Sequence, residues 1–444
     1  MTIPPPTSAA RTLQIVHQIA SQCEVTPDQI EDAYPCTNFQ AYLFDGSMRA
    51  AGITHFNLVF SIKEPKSDTF DRLTKAFRSV YDRHPILRTR IVRYTEHEAT
   101  TPRVVQAVIR QDFHWHEFDD LEHYRRERIG HRLRYGEELV HHGISKDRKH
   151  LVWTLHHAVY DGWSLGMIWE EICNSWSAST KGKEPVVAKR PKFVRFIAHL
   201  QDPIPEADRE YWTQHLADYT GPRFSHHQLP PETNASRSGT LELVPTREST
   251  VSLTARIQAA WFCTLVELFR SLDVMTFSVG SGRHCPVEGV ADMVGPCACV
   301  TPFRQRVDLK KPLYQFIQEV AESSSEMLAH EHAGMESLER LVEKAQRPNY
   351  ILNIKTGLGG GFDGLPCLEY QPASGPLKAP RDWGMQLTVG EETLRWDMFL
   401  DTNRLDEYSV ALVCERFPLL LQRCQTVESQ DGVTLEDVID VTRL

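Results

Sequence analysis

The stretch KHLVWTLHHAVYDGWS, Lys149–Ser164, decides the fold. Leu151, Trp153 and Leu155 fall on one face of a strand predicted over Lys149–His156. Asp161-Gly162 reads as a tight turn. From Ser164 to Trp176, Leu165, Ile168, Trp169, Ile172 and Trp176 form one apolar stripe at helical spacing. Strand, turn and amphipathic helix make an α/β unit with two histidines where the strand ends. Adjacent strand residues point to opposite faces, so His157 is assigned to a cleft and His156 to the structure. In a chain with 20 His and 24 Gly, a chance H-H-x-x-x-D-G is improbable, on the order of a few in a thousand.

The chemistry suits histidine. An imidazole titrates near neutral pH, so it can take a proton from an attacking amine or hydroxyl and pass it on. Gly162 permits close backbone approach, and its N–H near a helix N-terminus could stabilise an oxyanion. Asp161 lies four residues beyond His157, across the turn. Its carboxylate could serve the reaction or hold the turn by pairing with an arginine.

Working outward, the spacing predicts helices over Arg11–Cys23, Ser67–Asp82, Val194–Leu216, Leu253–Leu272 and Glu407–Gln422. Thr37 could cap a helix after Pro35. Strands are predicted at Phe56–Ile62, His84–Arg93, within Thr101–Phe118, and at Leu241–Val244, Val274–Val279, Tyr350–Lys355, Met385–Val389 and Leu394–Leu400. Arg125–Glu138 is charged and amphipathic, and a polar loop surrounds Pro230–Gly239. Ser177–Pro191, rich in Lys, Pro and small residues, reads as the linker between two α/β lobes, residues 1–180 and 181–444.

Four segments, in order, resemble the condensation domains of nonribosomal peptide synthetases. HHAVYDGWS is similar to their HHxxxDG signature. IEDAYPCTNFQ (Ile30–Gln40), HPILRTR (His84–Arg90) and GRHCPVEGVADMVGPCACVTPFRQRVD (Gly282–Asp308) resemble three further motifs, with Asn38 standing where proline is usual. Tyr-Pro-Cys-Thr, the Trp after Asp-Gly and Val-Gly-Pro resemble fungal terminal members, which release a cyclic product.

The resemblance implies an α/β fold of two chloramphenicol-acetyltransferase-like lobes in a V-shaped pseudo-dimer with a central tunnel, and a bridge near 357–380. It also implies acyl transfer from a peptidyl thioester to an amine or hydroxyl. That thioester would ride on the phosphopantetheine of a thiolation (peptidyl carrier) domain, with no cofactor bound by the chain itself. By motif, His157 is catalytic, Asp161 a structural acid and Arg88 its partner. The chain would act as a monomer or as part of a megasynthase. A coenzyme A-dependent acyltransferase of the same fold is the alternative, since RDWGM (Arg381–Met385) resembles that family's late D-F-G-W-G.

Several features are weighed and set aside. His141–His142 and His226–His227 lack Asp-Gly at the right offset. His114–Trp115–His116 alternates along a strand, and a metal would need three or four such residues to converge; H-E-x-x-H is absent, so none is expected. GLGGGFDG (Gly357–Gly364) lacks the Lys-Ser/Thr of a phosphate loop. A formal net charge of −10 argues against nucleic acid or anionic membrane as partner. Apolar runs are too short to cross a bilayer, and the N-terminus does not read as a secretory signal. The ten cysteines sit mostly in apolar runs with no C-x-x-C, which points to free thiols and a cytoplasmic setting.

Overall fold

Strand and helix periods resolve into three sheets in the computed structural model, which describes residues 9–49, 51–52, 54–63, 66–95, 103–200, 205–222, 234–244, 251–333, 350–356, 361–372, 383–440 and 442. In chain order, the first part carries α1 (Ala9–Cys23), β1 (Ile30–Pro35), α2 (Asn38–Arg49), β2 (His55–Ile62) and α3 (Ser67–Arg83). A 3-10 turn (Pro85–Arg88) leads to β3 (Thr89–Tyr94), β4 (Arg103–Ile109), β5 (His116–Phe118), α4 (Leu121–Gly130), β6 (Val140–Ser145), β7 (His150–His156), α5 (Gly162–Thr180) and α6 (Val194–His199). Next come α7 (Glu206–Leu216), β8 (Ala235–Glu242), α8 (Leu253–Phe269), β9 (Asp273–Gly280), β10 (Cys299–Arg306), α9 (Leu313–Leu328), β11 (Tyr350–Thr356), β12 (Leu368–Gln371), β13 (Trp383–Val389), β14 (Thr393–Leu400) and α10 (Glu407–Thr426).

Two α/β units result. One comprises Met1–Leu200 with Cys285–Cys297 and Gly360–Ser374; the other holds Gln201–His284, Ala298–Gly359 and Gly375–Leu444. The first unit has a five-stranded sheet, β12-β2-β7-β6-β5, and a three-stranded one, β1-β4-β3. Leu151, Trp153 and Leu155 of β7 pack with Leu73, Phe77 and Val80 of α3 and Leu165, Ile168 and Ile172 of α5. Each such buried side chain contributes about 1.5–3 kcal/mol. The opposite face of β7 is covered too, with Val152 against Val59, Phe118 and Tyr124. The second unit is a six-stranded sheet, β10-β9-β11-β13-β14-β8, packed against α8, α9 and α10.

The divisions differ from the sequence expectation. The first unit extends to Leu200, not 180, because Phe193, Phe196 and Ile197 are buried in its core. The helix predicted over Val194–Leu216 is two, α6 and α7; Pro203 and Pro205 fall between them, where a continuous helix would clash. His84–Arg93 is strand only from Thr89, after the 3-10 turn that Pro85 opens. Of the loop around Pro230–Gly239, residues 230–233 lie outside the described residues and Ala235–Gly239 are already strand. Strands β1, β6, β10 and β12 and helix α9 were missed. β6 has few apolar residues, and β10, at a sheet edge, accommodates Pro302. His226–His227 and parts of 357–380 and Arg381–Met385 also lie outside the described residues. Among the described residues no helix is long and apolar enough to cross a membrane.

Candidate active site

β7 ends with His156 and the turn that follows begins with His157, and the surroundings of the two rings are inverse. His156 is fully buried. Its Nδ1 accepts from the Ala158 N–H at 3.1 Å, so Nε2 bears the proton and faces Ser47 Oγ at 2.8 Å and Thr54 Oγ1 at 2.7 Å. Burial, reinforced by His55 and His157, holds its pKa well below the ordinary histidine value. This imidazole stays neutral and structural.

His157 is half-buried. Its Nδ1 lies 2.9 Å from the Tyr160 carbonyl oxygen, which can only accept, so Nδ1 bears the proton. In the neutral ring Nε2 therefore holds the lone pair a general base needs. The Tyr160 ring stacks on the imidazole at 4.6 Å and 5°, Phe39 meets it edge-on at 5.8 Å, and its backbone N–H donates to the Thr54 carbonyl at 2.9 Å.

Asp161, 3% exposed, caps α5. Oδ1 accepts from the Ser164 N–H at 2.7 Å, while Ser164 Oγ accepts from the Asp161 N–H at 3.0 Å. Such a cap contributes about 0.5–2 kcal/mol. Oδ2 accepts from the Cys297 N–H at 3.0 Å. That donor arrives through Val294-Gly295-Pro296, where Gly295 has φ +151° and a Cβ would fall 2.4 Å from the Phe193 ring. Gly162 is the first, exposed residue of α5, and N–H groups of a first turn have no intrahelical acceptor.

The expected Asp161–Arg88 pair is corrected. Arg88 Nη1 lies 2.5 Å from Glu31 Oε2 and 3.2 Å from the Ile109 carbonyl oxygen. Arg88 ends the 3-10 turn before β3, so its guanidinium reaches β1 and β4 of the three-stranded sheet rather than the β7–α5 turn.

Sequence reasoning missed Gln40. This buried side chain donates to the Ala158 carbonyl at 2.9 Å, clamping the residue next to His157, and exchanges hydrogen bonds with Gln106. Its Oε1 also accepts from the Thr37 N–H, while Thr37 Oγ1 accepts from the Gln40 N–H. The T-x-x-Q spacing of a capping box was a readable signal; the reach to Ala158, 118 residues away, was not.

His114, His116 and Glu138 also converge, with one ligand atom of each within 4.8 Å of the others. A cavity of about 460 Å³ in the first unit is lined by Glu138, His141, His55 and Arg90 among others; His157 does not line it.

The family model described as the condensation domain matches residues 30–354. The chain belongs to the condensation-domain family. This condensation domain is 28% identical to the nonribosomal peptide synthetase ecdA of Aspergillus rugulosus, over 91% of the chain and 6% of that protein. It is 27% identical to easA of Emericella nidulans, over 96% of the chain and again 6% of the relative. The chain thus spans about 6% of the length of these curated relatives. Among solved structures, it is similar to the first condensation domain of the calcium-dependent antibiotic synthetase, bound to a substrate analogue, with TM-score 0.67 and 21% identity over 92% of this chain and 99% of that one. The starter condensation domain of rhizomide synthetase gives TM-score 0.71 and 16% identity over 90% and 98%. These likenesses establish the chloramphenicol-acetyltransferase-like fold. Condensation domains are acyl-transferring enzymes that form amide or ester bonds.

Proposed function

We propose that this condensation domain transfers the acyl group of a peptidyl thioester, held on the phosphopantetheine of a thiolation domain, to an amine or hydroxyl nucleophile, with His157 as the proton acceptor. The observation that carries the reading is the His157 Nδ1–H to Tyr160 carbonyl contact, which leaves Nε2 as the basic nitrogen. The nucleophile attacks the thioester carbon and its proton passes to Nε2. The N–H of Gly162 supplies a donor for the oxyanion. On collapse the C–S bond breaks, and the departing thiolate takes the proton back. A free α-amine, with pKa near 8, needs Nε2 mainly to receive the developing proton, whereas an alcohol needs a true general base.

The finer reading is intramolecular attack that releases a macrocycle in fungal nonribosomal peptide synthesis, carried out in the cytoplasm. It is supported by YPCT, HHAVYDGW and Val-Gly-Pro, and by the fungal synthetases among the relatives. The test loads a matched peptide on a carrier domain and weighs the products. A cyclic product one water lighter than the linear acid, formed without a second carrier, supports release. Product that requires a second loaded carrier assigns ordinary chain elongation. Faster turnover of free coenzyme A esters with a small amine or alcohol would replace the reading with the acyltransferase alternative.

A further inference from the structure

The edge of the five-stranded sheet carries a second cluster of histidines that the acyl-transfer site does not use. β5 runs parallel to β6, with His116 opposite Gly143. Side chains alternate along extended chain, so His114 and His116 share a face and Trp115 turns to the other, where it packs against Phe77 and Phe113. His114 Nε2 and His116 Nε2 lie 3.0 Å apart. A carboxylate oxygen of Glu138, just before β6, stands within 4.8 Å of both ligand atoms.

We propose that His114, His116 and Glu138 form a binding site for a divalent transition ion of the zinc type. Two imidazoles and one carboxylate with an open fourth position are a ligand set that suits zinc. Tetrahedral bonds near 2.0–2.1 Å separate ligand atoms by about 3.4 Å, so the histidines already stand close to the required spacing and the carboxylate needs only a small approach.

The outer contacts are those that orient metal ligands. His114 Nδ1 faces the Asp112 carbonyl oxygen at 3.3 Å, which fixes the proton there and presents Nε2 as the donor atom. Glu138 Oε1 is held by Arg90 Nη2 at 3.0 Å and Gln111 Nε2 at 3.3 Å, which orients the carboxylate. His141 flanks the group, its ring 5.5 Å from that of His116 and its buried Nδ1 without a hydrogen-bond partner, 3.8 Å from Glu138 Oε2. Glu138 and His141 line the 460 Å³ cavity, which offers a route for the ion. Bound there, the ion ties the segment before β5 to the loop before β6.

The experiment titrates the full chain with zinc chloride against a chromophoric chelator, and follows melting with and without zinc. Wild type is expected to take up one equivalent and to melt at a higher temperature when it does. His114→Gln and His116→Gln should each weaken uptake by at least about tenfold and remove the zinc-dependent rise. His114 is exposed, so that variant keeps the fold, which circular dichroism verifies. Absence of saturable zinc binding in wild type, or a site that both substitutions leave unchanged, would overturn the proposal.

Discussion

Two histidine pairs lie close together in the first unit, His141–His142 on β6 and His156–His157 at the end of β7, and they have different fates. In each pair strand alternation buries one ring. His142 sits among Tyr81, Phe113 and Trp153, and burial pushes its pKa down to about 3. His156 is sealed by Ser47 and Thr54. The difference between the pairs lies in the backbone immediately C-terminal to each. After His142 the chain continues as strand with Gly143. After His157 it turns, and Tyr160 gives back a carbonyl that sets the tautomer. A histidine at a strand end becomes a candidate base when the turn supplies the orienting acceptor.

That contrast can be broken most directly at His157. His157→Ala should lower single-turnover acyl transfer about a hundred- to ten-thousand-fold, whereas His142→Ala should cost stability and leave the chemistry near wild type. A folded His157→Ala protein with ordinary turnover would end the contrast.

Asp161→Ala comes next. It removes the cap of α5 and strands the N–H groups of Ser164 and Cys297, at a cost of about 2–4 kcal/mol in denaturant unfolding. Because Arg88 pairs with Glu31, Asp161→Asn and Arg88→Met should add independently, with a coupling below about 0.5 kcal/mol. A larger coupling would restore the ion pair expected from the sequence.

The buried rings predict acid sensitivity. The folded pKa of His142 is depressed, so its contribution is complete above the unfolded value near 6.5 and is lost as pH falls toward about 3. By pH 5 the loss is about 2 kcal/mol. His142→Phe, compared with wild type by unfolding between pH 7 and 5, should flatten the slope; an unchanged slope would mean that this ring does not contribute.

The smallest effect is expected at Gln40. Gln40→Ala frees the Ala158 carbonyl and should cost about 1–2 kcal/mol, with turnover down about tenfold as the His157 loop loosens. Gln40→Glu, which keeps the acceptor for the Thr37 N–H but not the donor for Ala158, separates capping from clamping.

The β7–turn–α5 unit, the alternation that assigns His156 inward and His157 outward, and most helices were legible in the sequence, because they depend on side-chain period and local turn chemistry. The cap at Asp161 was legible as well, since a short acid precedes a helix with Ser164 three residues on, yet the arginine reading took precedence over it. The partners were not legible. Cys297 meets Asp161 across 136 residues and Gln40 meets Ala158 across 118, and Glu138 joins His114 and His116 from before the neighbouring strand. Periodicity carries no information about such pairings, because it repeats every two or 3.6 residues. Sequence by itself determined that the two adjacent histidines at the strand end point to opposite faces. Tertiary structure decided what holds that histidine, where Arg88 goes and which other imidazoles converge, because each depends on strand order and on late segments folding back into the first unit.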